Sequence, residues 1–261
     1  LGSWISTQRQ NKKKNKLSKE KIKLLEKLPF WVWDFKTKKP IKDMSKPDIK
    51  PKKSSQEIKQ ERQQRTKSEM SILHQKYKSM TSQNLNTYFK EDKPKWEEYH
   101  KISKQNEESF PEEEIPRNKM IKYLDNLPGK KQKVIADLGC GYAEINTHFK
   151  DNKRFVFHNF DHISINKLVI SRDIKNTKLE DYSIDIVILS LAMWGSNCND
   201  YISEAYRILD KGGVLLIAEP YKRWYNEDTK ENKLETLLKT NNFNIIQNDE
   251  NKFMFIECRK N

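Results

Sequence analysis

The stretch Val134-Ile-Ala-Asp-Leu-Gly-Cys-Gly141 is a short apolar run that leads into a Gly-x-Gly turn. In this arrangement a β-strand passes into a helix, and the glycines let backbone N–H groups approach a ligand. A second apolar run, residues 155–160, is followed by Asp161, which lies 22 residues after Gly139. A carboxylate about 20 residues beyond such a turn, at the end of the next strand, is suited to binding ribose hydroxyls. The pattern therefore predicts a nucleotide-binding βαβ unit.

The turn departs from the dinucleotide-binding pattern GxGxxG at the third glycine, where this chain has Glu144. Without that glycine, no pyrophosphate is expected at the helix N-terminus. An adenosine-containing ligand without phosphates remains, and S-adenosylmethionine is the commonest of these. Gly139, Gly141 and Asp161 are therefore the first candidates for a cofactor site.

The rest of the chain alternates strands and helices. Residues 184–189 (IDIVIL) and 214–218 (VLLIA) are near-continuous apolar runs, as in buried parallel strands. Residues 199–209 between them have the pattern of an amphipathic helix, and two late runs, 244–247 and 253–257, fit a closing strand pair. Short links between such elements predict an α/β fold with a doubly wound sheet. The chain resembles class I methyltransferases in three features: DLGCG, an aspartate after the second strand, and LDKGGVLLIAEP. This resemblance implies a Rossmann-like fold and S-adenosylmethionine as the cofactor.

Residues 189–197 (LSLAMWGSN) and 201–209 (YISEAYRIL) resemble the nucleomethylin type of ribosomal RNA-processing methyltransferase. The likeness runs from about residue 68 to the end and includes Tyr99-His100 in a helical region. That family methylates N1 of an adenine in large-subunit ribosomal RNA, so the resemblance implies RNA as the partner. It also implies cofactor contacts at His100, Gly139, Asp161, Asp173, Ile174 and Ser190. At two of these positions the chain departs from the family, which usually has Met in place of Ile174 and Cys in place of Ser190. Without the resemblance, His100 would be interpreted as a polar residue of a helical lid.

Absent motifs narrow the acceptor chemistry. No Asn/Asp-Pro-Pro-aromatic tetrad follows residues 184–189, which argues against methylation of an exocyclic amine. We interpret Cys198 as a packing thiol rather than a nucleophile activated by a neighbouring base. A ring nitrogen such as adenine N1 already carries a lone pair and needs only correct positioning. Trp194 is either a stacking platform for an extruded base or a core residue; Trp194 and Asn197 are the acceptor-base candidates, and no catalytic residue is predicted.

The net positive charge lies entirely in the first quarter of the chain. Of the formal net charge of +14 on 261 residues, residues 1–67 carry 21 basic and 7 acidic side chains, and the remainder carries 30 of each. Clustered basic side chains can bind the phosphates of a nucleic acid. An equally good interpretation is a solvated lysine-rich face without a binding role. The nucleic-acid-binding candidates are Arg9, Lys12, Lys13 and Lys14.

Residues 1–35 have the features of a small helical module. Ser18 is a plausible N-cap for a helix that Pro29 terminates, and Trp4, Trp31 and Trp33 can form a small core around it. The pattern LGSWISTQRQ…LSKEKIKLLEKLPFWVWD resembles the C-terminal half of the helicase-associated domain, which implies nucleic-acid binding. The first half of that module would lie before residue 1.

Four parts are expected: a partial helicase-associated-like basic module (1–35), a flexible basic linker (36–67), a helical cap (68–115) and a Rossmann-like methyltransferase domain (116–261). Within the linker little order is expected before Gln56, and from about Gln56, where the prolines stop, a helix is possible. No run of about 18 apolar residues occurs, so no membrane span is expected, and no secretory signal is visible. The three cysteines are far apart, which argues against a disulfide framework or a zinc site, and no metal site is predicted. The family resemblance implies a nuclear or nucleolar location.

Two classes of function remain. One is an S-adenosylmethionine-dependent methyltransferase that acts on adenine N1 in RNA, with the basic arm holding the substrate. The other is a catalytically inactive subunit of methyltransferase fold that binds nucleic acid or serves assembly; a DNA methyltransferase is a further alternative. Gly139-x-Gly141, Asp161 and Asp173 favour an active enzyme, because an inactive copy does not need ribose-binding carboxylates.

Overall fold

The computed structural model describes residues 2–28, 31–33 and 54–261. It divides the chain into two compact units, Leu1–Ser54 and Ser55–Asn261. The expected boundary at residue 35 and most of the expected linker, residues 36–53, lie outside the described residues.

The N-terminal unit contains two helices, α1 (Gly2–Lys13) and α2 (Lys19–Glu26). Ser18 caps α2 as predicted, because its hydroxyl accepts the N–H of Lys21 at 3.3 Å. The Trp31 ring packs edge-on against Trp4 and Trp33, with ring centroids 6.1 and 5.1 Å away. The predicted aromatic cluster is therefore present in this unit.

The larger unit begins with a cap of three helices, α3 (Ser55–Tyr77), α4 (Ser82–Glu91) and α5 (Lys93–Glu107). Because α3 begins at Ser55, the last part of the expected 36–67 linker is helical. Residues 52–77 contain neither proline nor glycine and are rich in Gln, Glu, Lys and Arg, which favour helix. Thr66 and Met70 are buried, and α3 packs along α5, so this polar helix is held in place by the rest of the cap.

The strands in chain order are β1 (Lys133–Leu138), β2 (Phe155–Asp161), β3 (Val169–Ser171), β4 (Ile184–Ser190), β5 (Leu209–Pro220), β6 (Tyr225–Asn226), β7 (Glu231–Asn232), β8 (Phe243–Glu250) and β9 (Phe253–Lys260). Seven form one sheet in the order β3-β2-β1-β4-β5-β9-β8, and β6 pairs with β7. The first five strands of the sheet are parallel, whereas β9 runs antiparallel to β5 and β8 antiparallel to β9. The predicted doubly wound sheet and its closing strand pair are confirmed.

The remaining helices are α6 (Pro116–Asp125), α7 (Glu144–His148), α8 (Cys198–Ile208), α9 (Tyr221–Trp224) and α10 (Lys233–Thr240). Side chains along β4 alternate between two cores: Val187 and Leu189 pack with residues of α8, and Ile186 and Ile188 pack with residues of α6. Because successive strand side chains point to opposite faces, helices cover both faces of the sheet. Burial on both faces explains why this strand is continuously apolar. Among the described residues, no helix is both long and apolar enough to cross a membrane.

The order of the strands determines where a ligand can bind. β2 and β4 lie on opposite sides of β1, so the direction of the chain through the sheet reverses there. In open α/β sheets, ligands bind beyond the carboxyl ends of the strands at this point. Gly139 follows β1, Asp161 ends β2 and Ser190 ends β4, so the topology brings three predicted site residues to one edge of the sheet.

Candidate cofactor and acceptor site

The turn after β1 requires glycine at both predicted positions. Gly139 has a φ of +82° and Gly141 a φ of +56°, which side chains rarely adopt. A Cβ atom at position 139 would lie 2.5 Å from Cβ of Ala192, and one at position 141 would lie 3.1 Å from Cε1 of His100. The Gly139 N–H donates to the carbonyl oxygen of Phe160 at 2.8 Å. Ala192 and His100 therefore pack against the turn too closely for a side chain at either glycine, and the turn is fixed to the end of β2.

Asp161 is buried at the end of β2 and holds three neighbours. Its Oδ2 accepts the N–H of Gly141 at 2.9 Å, and its Oδ1 accepts the N–H of His162 at 2.7 Å. Oδ1 also accepts the indole N–H of Trp96 at 2.6 Å. Because a carboxylate has about four acceptor positions, one remains for a further donor such as a ribose hydroxyl.

His100 lies against the glycine turn. Its ring centroid is 3.9 Å from that of Trp96, and burial lowers its pKa, so the imidazole is neutral at physiological pH. The neighbouring Tyr99 is half-buried beside it, with ring centroids 5.1 Å apart. The cap therefore places His100 against the glycine turn, in a wall of both cavities.

Two adjoining cavities share walls formed by Tyr99, His100, Gly139 and Leu191. The first is lined by charged and polar groups, among them Lys104, Glu107, Arg117, Asp137, Glu144 and Ser190. The second is mainly aromatic and apolar, with walls that include Trp96, Asp161, His162, Ile174 and Trp194. A charged amino-acid group matches the first cavity and an adenosine group matches the second.

Alternating charges surround the first cavity. Arg117 Nη2 lies 3.1 Å from Glu107 Oε2, and its Nη1 forms an ion pair with Glu144. Lys104 Nζ lies 3.2 Å from Glu144 Oε1. Burial, with a smaller effect of Asp161, raises the pKa of Asp137 to about 7. Carboxylates and cations side by side suit a ligand that carries both an ammonium and a carboxylate.

Asp173 and Asn197 attach the cap to the sheet. The Ser82 hydroxyl donates to Asp173 Oδ2 at 2.9 Å, and the Ser82 N–H donates to Asn197 Oδ1 at 2.8 Å. Asn197 Nδ2 donates to Asp200 Oδ2 at 2.8 Å. Both ends of the Asn197 amide therefore bind protein groups, and the structure gives this acceptor-base candidate a role in holding the cap.

Trp194, the other acceptor-base candidate, is half-buried in a wall of the second cavity. Its indole N–H donates to the carbonyl oxygen of Leu191 at 2.6 Å. The His74 ring stacks on it with centroids 3.5 Å apart and an interplanar angle of 17°, and Arg223 Cζ lies 4.3 Å from its centroid. Burial, with a smaller effect of Arg223, lowers the pKa of His74 to about 3. Trp194 thus already carries a neutral stacked ring and a cation.

Sequence reasoning did not identify His74, Glu219 or Arg223. Glu219 is fully buried at the end of β5, where its Oε1 accepts the N–H of Met193 at 3.0 Å and its Oε2 accepts the indole N–H of Trp224 at 3.2 Å. A charged residue directly after the apolar run 214–218 was the signal for Glu219. No local signal marks His74 or Arg223, because their relation to Trp194 arises only from tertiary packing.

Cys198 has the surroundings of a packing thiol. Its Sγ lies 3.1 Å from the Met193 carbonyl oxygen and 3.0 Å from that of Gly195, and burial raises its pKa to about 11. Within the described ranges, no cluster of three or more His, Cys, Asp or Glu side chains could hold a metal ion.

The nucleic-acid-binding candidates of the N-terminal unit fall into two pairs. Arg9 Nε donates to the carbonyl oxygen of Val32 at 2.8 Å, and Lys12 Nζ lies 4.0 Å from the Trp33 ring centroid. These contacts hold the tryptophan segment. Lys13 and Lys14 are exposed.

Two family models match the chain. A methyltransferase family described as "hypothetical methyltransferase" matches residues 56–261, and the helicase-associated domain matches residues 1–34. The first match covers most of the chain, including both cavities and the cap. The chain belongs to this methyltransferase family. The predicted class I fold and its cofactor, S-adenosylmethionine, are thereby confirmed.

Curated relatives match half or more of the chain. Ribosomal RNA-processing protein 8 of Arabidopsis thaliana is 38% identical over 153 residues, which are 59% of this chain and 50% of that protein. The 25S rRNA (adenine(645)-N(1))-methyltransferase of Schizosaccharomyces pombe is 35% identical over 52% of this chain and 44% of that protein. The protein of the same name in Saccharomyces cerevisiae is 33% identical over 69% of this chain and 52% of that protein. The chain therefore spans about half the length of these relatives.

Among solved structures, a methyltransferase of Aquifex aeolicus is similar at a TM-score of 0.45 and 14% identity, covering 60% of this chain and 97% of that chain. The site itself fits S-adenosylmethionine, because Gly139 and Gly141 present only backbone to the first cavity. Asp161 keeps an acceptor position beside it, and the charged and aromatic cavities adjoin there.

Proposed function

We propose that this protein transfers a methyl group to N1 of an adenine in RNA, with large-subunit ribosomal RNA as its substrate class. The observation that carries the proposal is the similarity of this chain to relatives named 25S rRNA (adenine(645)-N(1))-methyltransferase. Trp194 lies in a wall of the second cavity, so an extruded base that replaced the His74 ring on its indole would lie near the cofactor.

S-adenosylmethionine, when bound, supplies an electrophilic methyl group on sulfur. In the proposed site, Gly139 and Gly141 leave room for its backbone contacts, and Asp161 accepts a hydrogen bond from the ribose. His100 closes the glycine turn from the cap, Ser190 and Ile174 line the first and second cavities, and Asp173 holds the cap through Ser82. The alternating charges around Arg117 and Asp137 hold the methionine end.

The acceptor needs no activating base in this proposal. A ring nitrogen offers its lone pair directly, so the protein contributes position, orientation and exclusion of water. The neighbouring groups are consistent with this role, because burial keeps the Cys198 thiol protonated and the His74 imidazole neutral.

We also propose that the N-terminal unit increases RNA affinity through Lys13 and Lys14, which are exposed. Contacts between lysines and phosphates are independent of sequence, so this unit would hold long RNA without selecting the acceptor. Relatives named for ribosomal RNA processing support a nuclear or nucleolar location.

The test is nucleoside analysis after methylation in vitro. The full chain is incubated with cofactor carrying a labelled methyl group and with large-subunit rRNA transcribed in vitro, or with DNA of the same sequence. The nucleosides are released near neutral pH, because N1-methyladenosine rearranges to the N6 isomer in alkali. We expect label in N1-methyladenine from RNA.

Three results would contradict parts of the proposal. Label in N6-methyladenine or in a cytosine would change the acceptor, and label only in DNA would change the substrate class. Calorimetric binding of S-adenosylmethionine with no transfer to either nucleic acid would favour the inactive, nucleic-acid-binding alternative.

A further inference from the structure

Four charged side chains form a network of ion pairs in the wall of the first cavity: Lys104 and Glu107 on α5, Arg117 on α6 and Glu144 on α7. Arg117 lies in the middle of this network, with Nη2 3.1 Å from Glu107 Oε2 and Nη1 paired with Glu144. Glu144 also pairs with Lys104, whose Nζ lies 3.2 Å from its Oε1. The wall therefore offers two cations to an anionic group that enters this cavity.

S-adenosylmethionine brings one anionic group, the carboxylate of its methionine end. Among the described residues that line the two cavities, the cationic side chains are those of Arg117 and Lys104. The histidines in the same walls, His100 and His162, add no charge, because burial lowers the pKa of both rings and keeps them neutral at physiological pH. A charged partner for the carboxylate is therefore either Arg117 or Lys104.

The two cations differ in exposure and in how firmly they are held. The Lys104 side chain is 69% exposed, whereas that of Arg117 is 28% exposed. Arg117 lies in the first turn of α6, which Met120 and Leu124 anchor with fully buried side chains. A charge in the less hydrated position interacts more strongly with a ligand, and the planar guanidinium matches the two oxygens of a carboxylate. Both properties favour Arg117.

Arg117 can change partners without leaving a charge unpaired. A guanidinium carries five N–H donors, so contacts with two carboxylates leave capacity for a third. When a ligand carboxylate displaces Glu144, that residue retains Lys104, and Glu107 stays on the other terminal nitrogen of Arg117. All four charges of the network then keep a partner, and this matters because an unpaired buried charge is strongly destabilising.

We propose that Arg117 binds the methionine carboxylate of S-adenosylmethionine and exchanges Glu144 for it when the cofactor enters. Arg117 thereby determines the preference for a cofactor that has this carboxylate over one that lacks it. Lys104 holds Glu144 after the exchange. The inference rests on the part of the proposed function that places the methionine end in the first cavity, and it does not depend on which base accepts the methyl group.

The test compares S-adenosylmethionine with its decarboxylated form, which keeps the adenosine, the sulfonium and the amine. Affinities are measured by calorimetry on the full chain without RNA. The wild-type protein should bind S-adenosylmethionine about tenfold more tightly or better, because the decarboxylated form lacks the group that Arg117 binds. Arg117→Met should bind the two ligands with affinities within about twofold of each other. Lys101→Gln, which removes an exposed lysine of α5 outside both cavities, is the matched control and should keep the wild-type preference.

Affinity for the decarboxylated form also reports folding, since Arg117→Met should retain it. Lys104→Gln separates the two cations and should keep the preference for S-adenosylmethionine. A preference retained in Arg117→Met or lost in Lys104→Gln would overturn the assignment, as would equal wild-type affinities for the two ligands. Loss of both ligands from Arg117→Met would make Arg117 a residue that holds the cap, which also contradicts the inference.

Glu144→Gln provides an independent measurement. Because Glu144 competes with the ligand carboxylate for Arg117, this variant should bind S-adenosylmethionine about two- to fivefold more tightly and change less toward the decarboxylated form. Unchanged or weaker binding of S-adenosylmethionine would refute the exchange. These measurements contain no RNA, so their failure leaves the proposed acceptor standing, whereas label in another nucleoside would overturn the acceptor alone. A wild-type protein that binds no S-adenosylmethionine would overturn both.

Discussion

The indole N–H of Trp96 donates to Oδ1 of Asp161 at 2.6 Å and joins helix α5 of the cap to the end of β2. The two residues are 65 positions apart in the sequence, and both are buried. The carboxylate therefore holds the glycine turn and the cap together while keeping one position for a ligand.

Replacing Asp161 by alanine should weaken binding of S-adenosylmethionine at least tenfold. The ribose would lose its charged acceptor, and hydrogen bonds to charged groups contribute about 1.5–3 kcal/mol. Calorimetry on the folded variant measures this effect. Trp96→Phe is the matched control, because it removes only the indole bond; equal losses of affinity in the two variants would place the effect in the cap rather than at the ribose.

Replacing Asp137 by asparagine should stabilise the protein at high pH. Burial raises the pKa of this carboxyl from 3.8 to about 7, so the native state binds more protons than the unfolded state between these values. Wild-type stability therefore falls as pH rises through this window, by about 1.4 kcal/mol per pKa unit at most. The variant should unfold at a higher urea concentration than the wild type at pH 8, and the difference should vanish near pH 4.

Asp185→Asn provides a control of opposite sign for this measurement. Burial opposes the effect, but the Lys133 ammonium and the Val134 N–H lower the pKa of Asp185. Its ionised form therefore stabilises the folded protein, so the variant should be less stable than the wild type above the unfolded pKa of 3.8, and the difference should disappear as pH falls through the lower pKa of the folded state. The same pH trend in both variants would show that burial does not control Asp137.

Replacing Trp194 by alanine should slow methyl transfer and leave cofactor affinity nearly unchanged. Stacking on an aromatic side chain contributes about 1–3 kcal/mol per base, which corresponds to roughly 5- to 150-fold in rate. Single-turnover kinetics on RNA measure this change. Trp194→Phe keeps a ring but loses the 2.6 Å bond to Leu191, so it should retain most of the rate. A large loss of cofactor affinity in both variants would instead make Trp194 a structural residue.

Replacing Lys13 and Lys14 together by glutamine should weaken binding of long RNA and reduce its salt dependence. Each lost phosphate contact lowers the log–log slope by about 0.7–0.9. Filter binding over a series of salt concentrations measures the slope. Arg9→Gln with Lys12→Gln is the control, since these residues contact Val32 and Trp33 and should mainly affect the stability of the unit. An unchanged slope in the Lys13/Lys14 variant would leave these lysines as a solvated face.

The sequence predicted the sheet and the glycine turn because their signals are local. The run before Gly139 and the carboxylate at Asp161 follow from strand periodicity and from the length of one βαβ unit. The links between cap and sheet could not be found in this way. Ser82 binds Asp173 across 91 residues, and His74 stacks on Trp194 across 120 positions, so no pattern within one element reports them.

The extent of the cap was also hard to predict. Helix α3 is polar over most of its length and buries only Thr66, Met70 and Tyr77, so its amphipathic signal is weak. Its helicity depends on packing along α5 rather than on an apolar stripe. A charged, proline-free segment was therefore interpreted as linker up to residue 67.

Helix α5 contributes Tyr99 and His100 to both cavities. One cofactor molecule that fills both cavities would therefore meet the same two side chains at its charged end and at its adenosine end. Because Tyr99 and His100 are neighbours in one turn of α5, a change in that turn would alter the contacts at both ends of the cofactor together.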